Sequence, residues 1–428
     1  MESAAATPNP WMILPFGLLL ATIALAPLLV PGWWQKHYPK VAFALGAVTF
    51  GYYLFGLHAQ QRVLHTAHEY ISFIALIGSL YVVSGGIHII VKGEATPLVN
   101  VVFLLIGAVI ANVLGTTGAS MLLIRPWLRM NKYRVTVHHV VFFIFIVSNV
   151  GGCLTPIGDP PLFLGYLKGI PFWWVAEHCW PMWAVGVGVL LAMFYVVDSL
   201  NYLRAPKAVR ERETAHETWK FEGLPNLFFL AVILLAVFIE QPAFLRELLM
   251  VAAALGSYVT TRPSVHAAND FNFHPIQEVA ILFIGIFATM MPALDWLESN
   301  AGLLASPTPT FFYWGCGSLS SILDNAPTYL NFLAAGMGKA GLDIGSKADV
   351  SAFAHGDETL SSLVAISVGA VFFGAFTYIG NAPNFMVKSI AVQTGIKMPS
   401  FVGYVVRYAI PFLLPVLILT WVVFFVIF

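Results

Sequence analysis

Apolar stretches long enough to cross a bilayer recur along the chain from Trp11 to Phe428. Of its 428 residues, 59% are hydrophobic and only 10% are charged, whereas a soluble domain typically carries about 25% charged residues. A water-soluble core cannot hide this excess, because almost every part of the chain would have to lie inside it. The sequence therefore predicts a single polytopic membrane domain.

Hydropathy in windows of about 19 residues predicts ten spans. They cover residues 11–30, 41–57, 70–91, 138–167, 181–197, 225–239, 248–260, 275–291, 360–392 and 401–428. Two further apolar regions, 98–128 and 310–337, are too long for one simple helix and are interrupted by the strings G-T-T-G and D-N-A-P. We expect both regions to be re-entrant hairpins, each entering and leaving the bilayer by one face. No Lys or Arg precedes the first span, which we expect to be retained rather than cleaved as a signal peptide.

The basic residues predict an orientation for these spans. Cytoplasmic loops of membrane proteins carry an excess of Lys and Arg. With both termini outside the cytoplasm, sixteen of the 21 basic residues fall on the cytoplasmic side, and turning either hairpin into a full crossing would reverse every later loop. We therefore expect an inner-membrane protein with both termini outside. Net charge is formally zero, which argues against a nucleic-acid partner.

An internal repeat is the most informative feature of the sequence. The string T-P-I-G-D-P-P-L-F, from Thr155, matches T-Y-I-G-N-A-P-N-F, from Thr377, so that Asp159 lies opposite Asn381. Upstream, L-G-T-T-G in the first hairpin stands where L-D-N-A-P stands in the second. Five crossings in each half would give the halves, 1–200 and 224–428, opposite orientations, joined by a polar cytoplasmic linker over 201–223.

This pattern predicts a fold class: an all-α polytopic membrane protein with two inverted-topology repeats. Each repeat holds one re-entrant hairpin and one broken transmembrane helix, over 138–167 in the first half and 360–392 in the second. Secondary transporters often combine inverted repeats with interrupted helices, because exchanging the conformations of the halves moves one central site between the two faces. A channel is the less favoured interpretation.

Two carboxylates, Asp159 and Asp324, fall in the breaks, about midway through their membrane segments. An acid at the bilayer centre costs roughly 2.5 to 3.5 kcal/mol on insertion scales, so a functional role is the default hypothesis. Desolvation favours the protonated form of a carboxyl group, and a bound cation favours its ionised form. Proton and Na⁺ would then compete for the same oxygens of Asp159 and Asp324.

Neutral oxygens near the breaks could complete a site for Na⁺ or Li⁺, which accept hard oxygen ligands. The candidates are Asn325, Asn381, Thr155, Thr377, Asn149, Ser148, Thr116, Thr117 and Asn384. The alternative is that each of these side chains only caps a half-helix or bonds a neighbour. We expect no cofactor besides the transported ion.

Other ionisable residues lie nearer the ends of the spans. Glu69 and Glu278 could form a proton relay, although an interfacial position explains them as well. His138 and His139 open the first broken span, where we do not expect a metal site. Arg125, on the return arm of the first hairpin, is expected to extend to the cytoplasmic surface rather than pair with an acid. The three cysteines show no spacing typical of a disulfide or zinc site.

The strings S-N-V-G-G-C-L-T-P-I-G-D-P-P, L-D-N-A-P-T and I-G-N-A-P-N resemble the ion transporter superfamily. That group includes D-type sodium/proton antiporters, arsenite permeases, and citrate and dicarboxylate transporters. The resemblance spans nearly the whole chain, looks closest to the antiporter branch, and implies a homodimer with a scaffold domain, a mobile transport domain and an ion near Asp159 and Asp324. One departure is Gly115, where the first hairpin has no acid matching Asp324.

The favoured function is secondary exchange of Na⁺, or Li⁺, for H⁺ by alternating access. The alternative is cation-coupled transport of an oxyanion or carboxylate, such as arsenite, citrate or a dicarboxylate. No nucleotide-binding P-loop is present in the sequence, which disfavours a self-contained ATP-driven pump. We expect a transporter of Na⁺ and H⁺ across a lipid bilayer, not an enzyme.

Overall fold

The computed structural model describes residues 8–91, 95–204, 220–239, 241–300 and 308–427. In the first half, a short 3₁₀ turn over Pro10–Ile13 leads into seven helices. These are α1 (Leu14–Leu29), α2 (Pro31–Gly51), α3 (Gln60–Gly85), α4 (Pro97–Met130), α5 (Val137–Ile146), α6 (Pro160–Lys168) and α7 (Trp174–Arg204). Two three-residue strands, β1 (His88–Ile90) and β2 (Lys220–Glu222), pair antiparallel.

The second half is likewise helical. Its helices are α8 (Asn226–Ala236), α9 (Leu245–Thr260), α10 (Pro263–Ala268), α11 (His274–Asn300), α12 (Pro309–Ser320), α13 (Asn325–Lys339), α14 (Lys347–His355), α15 (Leu360–Phe373), α16 (Ala382–Gln393) and α17 (Phe401–Ile427). Helix α17 alternates between α and π turns. Apart from the β1–β2 ribbon, the described chain has the predicted all-α character.

Within the described residues, six helices are long and apolar enough by length and composition to cross a membrane, or up to seven if the bent pair α14 and α15 forms one span. One of the six is α4, which turns back at Gly115. This confirms a polytopic membrane protein, although fewer continuous helices qualify than the ten predicted spans. Helices α8 and α9 are short, with 11 and 16 residues. Helix α2 starts at Pro31, so the polar residues before position 41 are helical and dilute its apolar character.

Helix α4 is a hairpin rather than a straight rod. Asn100 near its start and Asn131 just after its end exchange side-chain hydrogen bonds of 2.8 and 3.0 Å. The rings of Phe103 and Trp127 stack with centroids 5.5 Å apart. Thirty-one positions along a continuous helix would separate Asn100 from Asn131 by about 46 Å. The chain turns at Gly115, whose φ of 74° and ψ of 155° suit essentially glycine alone.

Helices α12 and α13 form the second hairpin. The rings of Phe312 and Phe332 lie 6.5 Å apart, and a Cβ atom on Gly315 would lie 3.1 Å from the ring of Phe332. The turn ends at Asp324, which caps the N-terminus of α13 by accepting a hydrogen bond from the Ala326 amide. Both interruptions predicted from G-T-T-G and D-N-A-P are therefore hairpin tips.

Both predicted broken helices are interrupted, with helical arms α5 and α6 in one and α15 and α16 in the other. Thr155 donates to the Asn112 carbonyl at 2.6 Å, and Thr377 donates to the Ser321 carbonyl at 2.5 Å. Thr155 and Thr377 also each accept from the amide three residues later, at 3.1 Å. These matched contacts are what an internal repeat produces, while the opposite membrane orientation of the halves stays a prediction.

The helices pack as two groups. The scaffold bundle consists of α1, α2, α3, α8, α9 and α11, which contact one another extensively. The site bundle consists of the two hairpins, the two broken helices, α7 and α17. The bundles meet where α3 packs against α4 and where α11 packs against α13. This arrangement places the hairpin tips beside two scaffold helices.

The predicted linker over 201–223 needs correction at both ends. Its first residues belong to α7, which continues to Arg204, and its last residues form β2. Strand β2 pairs with β1, with His88 opposite Glu222, so backbone hydrogen bonds fix this end of the linker to the segment after α3. Residues 205–219 lie outside the described part of the chain.

Candidate functional site

Asp159 lies at the convergence of the two halves and is fully buried. Its Oδ1 atom accepts hydrogen bonds from Thr116 Oγ1 at 2.7 Å and from Asn381 Nδ2 at 2.9 Å. Its Oδ2 atom accepts from Asn325 Nδ2 at 2.7 Å. The three donors belong to the first hairpin tip, the second broken helix and the second hairpin tip. One carboxylate therefore joins all four interrupted segments.

Local backbone structure explains why these side chains meet. Asp159 and Asn381 are the residues before α6 and α16, and both are extended, with φ of −142° and −149°. Prolines in the first turn of each helix suit that position because the missing amide would have no intrahelical partner. Helix N-termini carry partial positive charge. The ends of α6, α13 and α16 thus favour negative charge at this point.

Two buried asparagines brace the breaks against each other. Asn149 donates to the Ile144 carbonyl at 2.8 Å and to Asn384 Oδ1 at 2.7 Å. Asn384 in turn donates to the Gly374 and Thr377 carbonyls at 2.7 and 2.8 Å. These bonds satisfy backbone groups that the interrupted helices leave without an intrahelical partner. Lipid could not supply such hydrogen bonds to a chain segment that faced it. Their positions favour a bracing role over direct contact with an ion.

The predicted hydroxyl candidates likewise divide into those that bond other parts of the protein and those that lie at the site. Thr155 and Thr377 bond hairpin carbonyls, and Ser148 bonds Ser120 at 2.7 Å. Thr117 is half-buried and lines both cavities of the site. Of the nine neutral candidates, Thr116, Asn325 and Asn381 are bonded to Asp159.

Two small cavities adjoin the carboxylates. Asp324, which is half-buried, lines the first with Asn381, and Asp159 lines the second. Both cavities are also lined by Thr117 and Pro160, so they are neighbours. Each offers about 20 Å³ to the centre of a water-sized molecule, which is enough for about one such molecule. The described conformation therefore fits a small ion or water.

Asn325 presents an unused acceptor at this site. Its Nδ2 atom bonds Asp159, but its buried Oδ1 atom has no hydrogen-bond partner among the described residues. A buried acceptor without a partner costs about 1 to 3 kcal/mol. A cation or a protonated carboxyl group beside Asp159 would satisfy it.

The described side chains lining the two cavities are apolar or neutral apart from Asp159 and Asp324, and none of them is Lys, Arg or His. An uncompensated carboxylate in this environment is costly unless it binds a cation or a proton. The local charge therefore favours a cationic ligand.

The two relay candidates differ in their surroundings. Glu69 is buried, and its carboxylate lies 2.8 Å from Lys168 Nζ and 3.1 Å from His65 Nε2. Glu278 is half-buried on α11. Neither residue lines either cavity, and the relay stays a prediction. Arg125 pairs with Asp270 at 3.3 Å, contrary to the expectation that it would avoid an acid.

A buried charged cluster at the open end of the first hairpin escaped sequence reasoning. Asp198 accepts hydrogen bonds from Arg134 through both carboxylate oxygens, and from Asn100 at 2.9 Å. His138 and His139 also approach Asp198, at 3.3 and 3.0 Å. The side chains of His138, His139 and Asp198 lie close enough together to hold a metal ion. The Arg134 guanidinium bound to the same carboxylate opposes a cation there. The contacts favour a structural clamp on the hairpin.

Asn112 is a second residue that sequence reasoning missed. It donates to the Gly151 carbonyl at 2.7 Å and accepts from the Leu154 amide at 2.8 Å. These bonds tie the first hairpin to the first broken helix. An available signal was an amide in an apolar arm four residues before Thr116, a spacing that shares one helix face.

Comparison with known proteins gives one match. The model of the family described as "Putative citrate transport" matches residues 5–425. The matched region includes both hairpins, both broken helices and every residue bonded to Asp159. No curated protein matches the chain.

Proposed function

The chain belongs to this citrate-transport family, within the ion transporter superfamily, and is an integral multi-pass membrane transporter; we propose that it exchanges Na⁺ or Li⁺ for H⁺. The observation that carries this proposal is the buried Asp159 carboxylate with three neutral donors from both halves. Asp324 beside the neighbouring cavity supplies a second acid. The predicted homodimer and inner-membrane orientation belong to the same proposal.

Competition at Asp159 would couple the two ions. When Asp159 is protonated, the surrounding amides and hydroxyl hold the carboxyl group without a net buried charge. When Na⁺ binds, the carboxylate becomes a ligand, and the Asn325 and Asn381 side chains can rotate to present oxygen instead of nitrogen. Both states cannot occupy the same oxygens at once. Each cation that enters would therefore release a proton.

Movement between the two bundles would expose this site alternately to each face. The tips of the two hairpins end at Asp159 from different halves of the chain, and the scaffold helices α3 and α11 flank them. A shift of the site bundle along these helices would carry the carboxylates with it. Interrupted helices in secondary transporters place ion sites near the midplane for this kind of motion.

Cavity size favours a cation over citrate in the described conformation. Each cavity has room for about one water-sized molecule, which suits a dehydrated monovalent cation. A tricarboxylate would need the hairpins to separate. It would also meet two carboxylates and no basic side chain among the described lining residues.

Cation-coupled carboxylate transport is the second candidate, because the matched family is described by citrate transport. The converging N-termini of α6, α13 and α16 would attract an anion. Bound Na⁺ could offset the charge of Asp159 and Asp324. This function therefore needs the same cation site plus an enlarged cavity.

Purified protein in liposomes containing a pH-sensitive dye separates these functions. An outward proton gradient that Na⁺ or Li⁺ dissipates without citrate, while K⁺ does not, is the expected result. Counterflow of labelled citrate without any Na⁺/H⁺ exchange would replace the first proposal by the second. Ion conductance in planar bilayers without coupled proton movement would indicate a channel and contradict both.

A further inference from the structure

A buried ion pair joins the two bundles. Glu69 on α3 belongs to the scaffold bundle, and Lys168 is the last residue of α6 in the site bundle. The carboxylate and ammonium groups lie 2.8 Å apart, and their side chains are only 6% and 2% exposed. Tyr166, also on α6, donates to the Val237 carbonyl just beyond α8 at 2.8 Å. This end of α6 is therefore held against the scaffold by polar contacts.

The pair lies to one side of the ion site. Phe73, Ile77 and Tyr81 of α3 line the first cavity, and Glu69 precedes Phe73 by one helical turn. Lys168 follows Asp159 by nine positions, or about 13 Å along a helix. The contact thus closes the boundary between the bundles about two and a half helical turns from Asp159.

A weaker ion pair lies on the other side. Arg125 on the return arm of α4 approaches Asp270 at 3.3 Å, but the Asp270 side chain is 76% exposed. The neighbouring Asn269 bonds the carbonyl of Gly85, at the opposite end of α3 from Glu69. Exposed pairs contribute little because water screens them. The two sides of the site are therefore held with unequal strength.

We propose that the Glu69–Lys168 pair is a latch between the bundles, which must open before the site becomes accessible from that side. The proposal rests on the alternating access of the proposed function. Removing Glu69 leaves the Lys168 ammonium group buried without this anion, and removing Lys168 leaves the buried Glu69 carboxylate with His65, 3.1 Å away, as its remaining ion-pair partner among the described residues. That cost falls only on the latched state, since the remaining group is hydrated when the bundles separate. Neutralising either residue therefore shifts the population towards the open state.

Spin labels on the two bundles can measure this shift without transport. Leu64 on α3 and Trp173 before α7 are 63% and 58% exposed. Spin labels attached to cysteines at these two positions report the distance across the boundary between the bundles by double electron–electron resonance in liposomes. The three native cysteines are buried and stay in place. Glu69→Gln and Lys168→Met should each enlarge the long-distance population about tenfold or more.

Glu247→Gln is the matched control. Glu247 is 5% exposed, like Glu69, and it bonds Ser72 of α3 at 2.5 Å within the scaffold bundle. This variant should keep the original distance distribution. The charge exchange Glu69→Lys with Lys168→Glu should restore the latched distance, which separates loss of the pair from general destabilisation.

Two results would overturn the latch. One is an unchanged distance distribution in Glu69→Gln and Lys168→Met. The other is an equal change in the Glu247→Gln control, which would indicate loosening of the scaffold. Absence of Na⁺/H⁺ exchange by the native protein would contradict the proposed function, but the distances would still test the latch.

Discussion

Asp159→Asn is the substitution that separates cation binding at the site from the stability of the fold. The new amide oxygen can still accept from Thr116 and Asn381, which both bond Oδ1 of the carboxylate. The new amide nitrogen would face Asn325 Nδ2, but rotating the Asn325 amide presents its Oδ1 atom, which accepts no hydrogen bond within the described part of the chain. We expect the free energy of unfolding to change by no more than about 1.5 kcal/mol.

The same substitution removes the charge that a cation would need. A cation bound to oxygen lies about 2.4 Å from it, and at an effective dielectric constant of about 20 the attraction to a unit charge is about 7 kcal/mol. Desolvation of the ion and the carboxylate cancels much of this energy. If about a third of the attraction remains after desolvation, losing it still lowers the affinity for Na⁺ about fiftyfold.

Proton flux in liposomes and thermal unfolding in detergent together test this reasoning. Asp159→Asn should melt near the native temperature while its Na⁺-dependent proton flux falls to background. Asp159→Glu keeps the charge and serves as the control for residual binding. Native flux in a correctly folded Asp159→Asn variant would refute cation binding by this carboxylate.

Three other substitutions probe the remaining parts of the fold. Asp324→Asn keeps a side chain that caps α13, so stability should change by less than about 0.5 kcal/mol, while the flux assay should show at least a tenfold loss, about 1.4 kcal/mol. Gly115→Ala forces a backbone conformation that costs about 1 to 3 kcal/mol and should lower the melting temperature more than Gly118→Ala, whose added Cβ meets ordinary contacts. Asp198→Asn leaves Arg134 buried without its anion and should destabilise the protein by about 3 to 5 kcal/mol, with an unchanged KM for Na⁺ in the folded fraction.

The sequence predicts where the helices are interrupted better than it predicts where they begin and end. Gly115 and Asp324 mark the hairpin tips because glycine, asparagine and proline there conflict with continuous helix. The start of α2 at Pro31 was missed, since polar residues before position 41 lower hydropathy without preventing helix formation. Strand β2 was missed because a three-residue strand has too little periodicity to detect.

The same contrast applies to the site. A carboxylate in a broken helix is conspicuous, so Asp159 could be predicted, and its equivalence to Asn381 in the repeat anticipates their contact. The clamp around Asp198 could not, because its partner Arg134 is 64 positions away and an acid near a helix end usually lies at the surface. Thr155 illustrates a third case. Its hydroxyl oxygen is of the type that could bind Na⁺, but in the structure the hydroxyl donates to a backbone carbonyl.

The structure also separates two acids that the sequence treats alike. Both acids line a cavity, but Asp159 is fully buried and accepts from three side-chain donors, whereas Asp324 is half-buried and accepts from the Ala326 amide. In the repeat, the position opposite Asp159 is Asn381 and the position opposite Asp324 is Gly115, so neither acid has an acidic counterpart. One half therefore supplies the acid of the broken helix and the other supplies the acid of the hairpin. Loss of Asp159 should then weaken ion binding itself, and loss of Asp324 should chiefly affect how an ion reaches Asp159 through the adjoining cavity.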